Sequence, residues 1–119
     1  MVHRIRLSKP WQREATTAGV LWRRKFGRPS GLGDQQTVWV GVEGMLPGGS
    51  VALNGEMLGR LPDLGAGGRY DVTRRLRPRN ELQILLEGVA MPEESATAPP
   101  GEVFIEILEI LEIHEIHAD

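Results

Sequence analysis

The sequence predicts an all-β domain, a sandwich of short strands, on three observations. Fifteen glycines and eight prolines fall mostly in clusters between short β-rich runs and at no fixed period, which is the punctuation of a sandwich. Several of those runs alternate apolar and polar residues, the two-residue period of a half-buried strand. Asn54-Gly55, set between Val51-Ala52-Leu53 and Met57-Leu58, is a two-residue hairpin signal, because Asn and Gly tolerate the positive φ that a type I′ turn requires at both central positions.

Length and composition bound the rest. At 119 residues the chain fits one domain, residues 1–119, long enough to bury a single core. There is no cysteine, which excludes disulfides, thiolate zinc sites, iron–sulfur clusters and cysteine nucleophiles. No apolar run approaches the roughly 20 residues that span a bilayer. The opening Met1-Val2-His3-Arg4-Ile5-Arg6-Leu7 lacks the continuous apolar core of a signal peptide, so the expectation is a cytoplasmic protein with no membrane partner.

The elements follow in chain order. His3 to Leu7 alternates and reads as the first strand; Pro10 ends regular pairing, and Trp11 is expected to cover one end of the core. Gln12 to Gly19 is small and polar and reads as a connecting loop. Val20 to Phe26 is a strand with Trp22, Arg24 and Phe26 on one face and Leu21, Arg23 and Lys25 on the other. After a Pro/Gly-rich loop, Thr37 to Val42 is apolar enough to be buried on both faces, which predicts a central strand. The Asn54-Gly55 hairpin comes next, then a flexible loop from Leu61 to Gly68, which lacks the strand, helix and lysine of a phosphate-cradling loop. Asp71 and Thr73 carry short oxygen-bearing side chains that can bond nearby amides, suiting a strand end that leaves the sheet for a turn. Pro78 stops any helix, Glu81 to Val89 forms a strand, and Ala90 to Pro100 is a surface loop. Val103 to Ile107 alternates like a strand, but from Ile107 onward the apolar period is three, which matches neither sheet nor helix. Isoleucine density there favours a strand with a bulge near Leu108, with a helical last segment as the alternative.

Two stretches carry a family resemblance. Val51-Ala52-Leu53-Asn54-Gly55-Glu56-Met57-Leu58-Gly59, followed by Tyr70-Asp71-Val72-Thr73, Leu76, Pro78 and Asn80, resembles the sugar-binding domain of glycoside hydrolase family 2. Trp22-Arg23-Arg24-Lys25-Phe26 also resembles that family's aromatic-Arg-Arg-x-Phe strand. The likeness runs from Val20 to about Ile107. It implies a galactose-binding-like jelly roll of about eight short, mainly antiparallel strands, standing alone without the family's catalytic barrel. The acid and nucleophile of such enzymes sit on that barrel, so the resemblance assigns no catalytic residue here.

Charge is strongly segregated beneath a formal net charge of -2. All 14 Lys and Arg precede Asn80, whereas the last forty residues carry ten acidic groups and no Lys or Arg. If the first and last strands are neighbours, Arg4 and Arg6 face outward opposite Glu106 or Glu109, while Ile5 and Leu7 point inward. The basic runs Arg23-Arg24-Lys25 and Arg74 to Arg79 could contact phosphates, but the chain is acidic overall and a sandwich lacks a groove-reading helix. Nucleic acid is therefore disfavoured, and solvated charge or pairing with the acidic tail is preferred.

Reactive groups are sparse. His114 and His117, three apart beside Glu112 and Glu115, would share a face only on a helix, so no metal or other cofactor is assigned. No serine lies in a Gly-x-Ser-x-Gly elbow, and the chain reads as not an enzyme. Binding is the better reading. Sugars stack on aromatic rings while planar polar groups fix their hydroxyls, which makes Trp11, Arg24, Asn54 and Asp71 the candidate ligand contacts. Turn chemistry alone also accounts for Asn54, Asp71 and Thr73, and core packing for most of Trp11, Trp22 and Trp39. The first function expected is a binding module for carbohydrate or another small polar ligand. The second is a protein-interaction or structural module that self-associates or takes a partner through an edge in the segment Phe104 to Ile116.

Overall fold

The computed structural model describes residues 2–44, 48–61, 68–87 and 96–109. They form nine strands: β1 (Val2–Arg6), β2 (Gln12–Ala15), β3 (Gly19–Gly27), β4 (Gln36–Glu43), β5 (Gly49–Leu53), β6 (Glu56–Leu61), β7 (Gly68–Asp71), β8 (Arg79–Glu87) and β9 (Glu102–Glu109). They make a four-stranded sheet in the order β1-β9-β4-β7 and a five-stranded sheet in the order β2-β3-β8-β5-β6. Every pairing is antiparallel. The protein is thus an all-β sandwich.

The core lies where the inward residues of the two sheets meet. Val38, Val40 and Val42 of β4, with Val103 and Ile105 of β9, face Val20 and Trp22 of β3, Val51 and Leu53 of β5, and Leu82, Ile84 and Leu86 of β8. Alternation along β8 is regular, with Asn80, Leu82, Ile84 and Leu86 buried between half-exposed neighbours. Trp22 has no exposed surface and is the bulkiest wholly buried side chain. β4, expected to be central, is flanked by β9 and β7.

The Asn54-Gly55 turn has φ values of 53° and 86°, both positive as the type I′ hairpin requires. A bulge lies in that hairpin: Val51 pairs with Gly59 and Ala52 with Met57, leaving Leu58 as the extra residue. The bulge expected near Leu108 is not there. β9 keeps an unbroken register against β4 through Leu108 opposite Thr37 and Glu109 opposite Gln36. Flanking strands on both sides hold β9 in register regardless of its apolar period. A second correction concerns residues 12–15, read as loop: they form β2, an edge strand paired with β3. Its residues Gln-Arg-Glu-Ala are largely exposed and joined to the sheet mainly through the backbone, so no apolar alternation marks them.

β1 pairs with β9 as charge complementarity suggested, with Arg4 opposite Glu106 and Arg6 opposite Phe104. Leu7 is buried, whereas Ile5, on an edge strand, keeps 38% of its surface exposed. No helix among the described residues is long and apolar enough to cross a membrane. The loop centred on Gly65 to Gly67, most of the stretch from Ala90, and His114, Ile116 and His117 lie outside the described residues.

Candidate functional site

Strand ends set the chemistry at one end of the sandwich, where β3 finishes, β8 begins and the Asn54-Gly55 turn closes. Asn54 is held there by three bonds. Its amide nitrogen donates to the Glu81 carbonyl at 2.9 Å, its Oδ1 accepts from the Glu81 amide at 2.9 Å, and its Nδ2 donates to Asn80 Oδ1 at 3.0 Å. Asn80, 3% exposed, also accepts from the Arg77 amide and donates to the Arg77 carbonyl, both at 2.9 Å. The two asparagines thus lock the hairpin to the loop before β8. Both backbone groups of Arg77, which lies between strands, are thereby satisfied.

Beside this lock lies a depression of about 550 Å³ lined by Arg24, Lys25, Phe26, Asn54, Arg79, Asn80 and Glu81. Register explains the convergence: β3 and β8 place Lys25 opposite Glu81, Phe26 opposite Asn80 and Gly27 opposite Arg79. Phe26 is half-buried against the core and supplies an apolar patch. Arg24 is positioned by carbonyl oxygens: its Nε donates to Ser8 O at 2.7 Å and its Nη1 donates to Lys25 O.

Of the four candidate contacts, the structure brings Arg24 and Asn54 together in this depression. Asp71 lines a second one of about 500 Å³ with Asp34, Gln36, Thr37 and the Arg74-Arg75 pair. Its Oδ1 is occupied by the Thr73 amide at 2.9 Å and the Thr73 hydroxyl at 2.6 Å, and that hydroxyl oxygen accepts from the Val38 amide at 2.9 Å. This is the turn chemistry its sequence position suggested. Trp11 lies elsewhere, in a smaller site of about 160 Å³ with Leu7, Lys9 and Pro99. Its ring is packed on the core and its Nε1 donates to the Leu7 carbonyl at 3.1 Å, as expected for a residue that covers one end of the core. Phe26, Arg79 and Asn80 were not among the sequence candidates. The signal for them was the pairing of β3 with β8, which single-strand patterns do not contain.

The outer face of the four-stranded sheet carries a different cluster. Glu106, 4% exposed, is held by Arg4 Nη2 at 2.9 Å on one oxygen and by Arg69 Nη2 at 2.6 Å on the other. Each arginine also lies over an aromatic ring, Arg4 at 3.9 Å from the Phe104 centroid and Arg69 at 5.4 Å from that of Trp39. Burial pushes the Glu106 carboxyl up, but hydrogen bonds and charge from Arg4 and Arg69 outweigh it and leave the group below the usual carboxylate range. Phe104 reaches across β4 because Gly41 has no side chain: a Cβ there would stand 2.1 Å from Phe104 Cε2. Among the described residues no group of three or more His, Cys, Asp and Glu is placed to hold a metal ion.

Comparison with known proteins adds the fold context. No family model matches the chain, and no curated protein matches it. Among solved structures, it is similar to part of an FMN-binding beta-glucuronidase from Facaelibacterium prausnitzii L2-6, with TM-score 0.68 and 18% identity over 92% of this chain and 23% of that one. A beta-glucuronidase of an uncultured Clostridium sp. is similar over 76% of this chain and 19% of its own, with TM-score 0.54 and 19% identity. A rhamnosidase from Novosphingobium sp. PP1Y is similar over 73% of this chain and 11% of its own, with TM-score 0.50 and 19% identity. The chain therefore spans about a quarter or less of the glycosidases whose fold it shares.

Proposed function

We propose that this sandwich is a non-catalytic module that binds carbohydrate or another small polar ligand in the depression beside the Asn54-Asn80 lock. The observation that carries the reading is the meeting of Arg24, Phe26 and Asn54 in one concavity, an apolar ring next to planar polar groups. The occurrence of similar sandwiches within two glucuronidases and a rhamnosidase supports a role beside sugars. Among the described residues Glu81 is the one carboxylate that lines the depression, whereas glycoside hydrolysis uses a pair. The resemblance of Val51 to Asn80 to the sugar-binding domain of glycoside hydrolase family 2 agrees with this reading.

An interaction role through the last strand has less support. β9 is paired on both sides, so Phe104 to Glu109 offers no free edge, and residues 110–116 lie outside the described residues.

Protein-observed NMR with a panel of monosaccharides tests the reading. Saturable shifts of the Asn54 side-chain amide and the Arg24 Nε–H, with Phe26 ring signals moving together, are expected. Shifts confined to the Trp11 indole or to the neighbourhood of Asp71, or no shift with any sugar, would overturn it.

A further inference from the structure

Resting on that reading, we infer that the ligand is an anionic sugar, one whose ring carries a carboxylate or a sulfate ester. The argument is an inventory of donors that the fold has not already used. Asn54 Nδ2 already gives one N–H to Asn80 and Asn80 Nδ2 gives one to the Arg77 carbonyl, so each asparagine keeps a single N–H for a ligand. The larger share of the uncommitted donors is cationic. Lys25 and Arg79 are exposed and form no side-chain hydrogen bond or ion pair among the described residues. Arg24 is oriented by two carbonyl oxygens, which fix the guanidinium without neutralising it.

Among arginines on the strands this is a departure, although the loop arginines Arg28, Arg74, Arg75 and Arg77 also form no ion pair among the described residues. On the sheets, Arg4, Arg6, Arg23, Arg60 and Arg69 are each paired with a glutamate. In the depression three cations face one carboxylate, Glu81, which accepts a hydrogen bond from Gln83 Nε2 at 3.0 Å. An oxyanion would complete the site: guanidinium and ammonium groups bind carboxylate and sulfate oxygens through charge-assisted hydrogen bonds, about twice as strong as neutral ones. Phe26 gives the apolar face of a ring something to rest on. The pairing of an uncommitted positive rim with an aromatic patch selects a charged sugar over a bare anion or a neutral sugar.

The test compares galactose, galacturonate, galactose 6-sulfate, acetate and inorganic sulfate by NMR titration of the full chain, alongside the double variant Lys25→Ala/Arg79→Ala. Both substituted residues are exposed, and the amide spectrum confirms that the variant is folded. The expected result is that at least one charged sugar binds about tenfold or more tightly than galactose, a preference that weakens with salt and disappears in the variant. The control Arg74→Ala/Arg75→Ala, which removes the same charge from the depression that holds Asp71, should keep the preference. Equal binding of galactose and both charged sugars would overturn the inference and leave the carbohydrate reading standing. Binding of acetate or sulfate as tight as that of the charged sugars would overturn it too, by showing that the ring contributes nothing. Failure of every sugar to bind removes the carbohydrate reading itself.

Discussion

Tyr70 lies against Gly59 across the gap between the two sheets. A Cβ on Gly59 would stand 2.6 Å from Tyr70 Cε1, and the Tyr70 hydroxyl donates to the Arg60 carbonyl at 3.2 Å. β6 belongs to the five-stranded sheet and β7 to the four-stranded one, so this contact ties the two layers together at one edge. Leu58-Gly59 and Tyr70-Asp71, two separate parts of the sequence signature, are two halves of one packing arrangement.

Gly59→Ala should therefore lower stability by about 1–3 kcal/mol, the usual cost of forcing an extra carbon into a packed site. Tyr70→Phe should cost about 1 kcal/mol, for the lost hydrogen bond alone. Urea denaturation measures both. A Gly59→Ala protein with an unchanged midpoint would show that the ring does not rest on the glycine.

The same tyrosine can be titrated by itself, because it is the single tyrosine of the chain. Burial pushes its phenol up. Tyrosinate absorbance should rise at higher pH in the folded protein than in urea. With a raised folded value, the neutral phenol's contribution is fully present below the unfolded value and is lost as pH climbs through the folded one. Coincident titration curves would contradict the burial.

Glu106 gives the opposite limb. Its folded value is depressed, so its contribution is present above the ordinary carboxylate range and disappears as pH falls through the folded value. Glu106→Gln should cost about 1–3 kcal/mol at neutral pH, since charge-assisted bonds from Arg4 and Arg69 are weakened together. The variant should also lose part of the wild type's destabilisation on acidification. Parallel stability-against-pH curves for the two proteins would rule this out.

Gly41→Ala tests the other face of the same cluster. The new methyl would collide with the Phe104 ring, with an expected loss of about 1–3 kcal/mol. Adding Phe104→Ala should recover part of that loss, because the two changes share one space and do not add. Strict additivity in thermal unfolding would exclude the contact.

Much of the fold was readable from residue order. Asn54-Gly55 gave the hairpin because the turn's dihedral demand is local, and Val20 to Phe26 and Glu81 to Val89 gave β3 and β8 because each buries a regular alternate face. β2 was missed because its pairing is mostly backbone to backbone, which leaves no mark on side-chain choice. The unbroken β9 was missed because its register is held by neighbours far away in sequence. The site was only partly visible. Arg24 and Asn54 were named, yet their meeting with Phe26 and Arg79 depends on which strand lies beside which. Asp71 was named for its chemistry, and that chemistry is turned inward on Thr73.

The position of β9 between β1 and β4 bears on how the chain is made. β1 and β4 touch only through β9, so the four-stranded layer cannot assemble until Glu102–Glu109 has been synthesised. Until then the inward valines of β4 have no sheet to belong to beyond short β7, and β1 has no partner strand. A nascent chain on the ribosome can zip β2, β3, β5, β6 and β8 together early, because all five precede that point. The second layer then closes in a late step that joins residues about a hundred positions apart, a slow long-range pairing of the kind that governs the folding rate of β-rich domains.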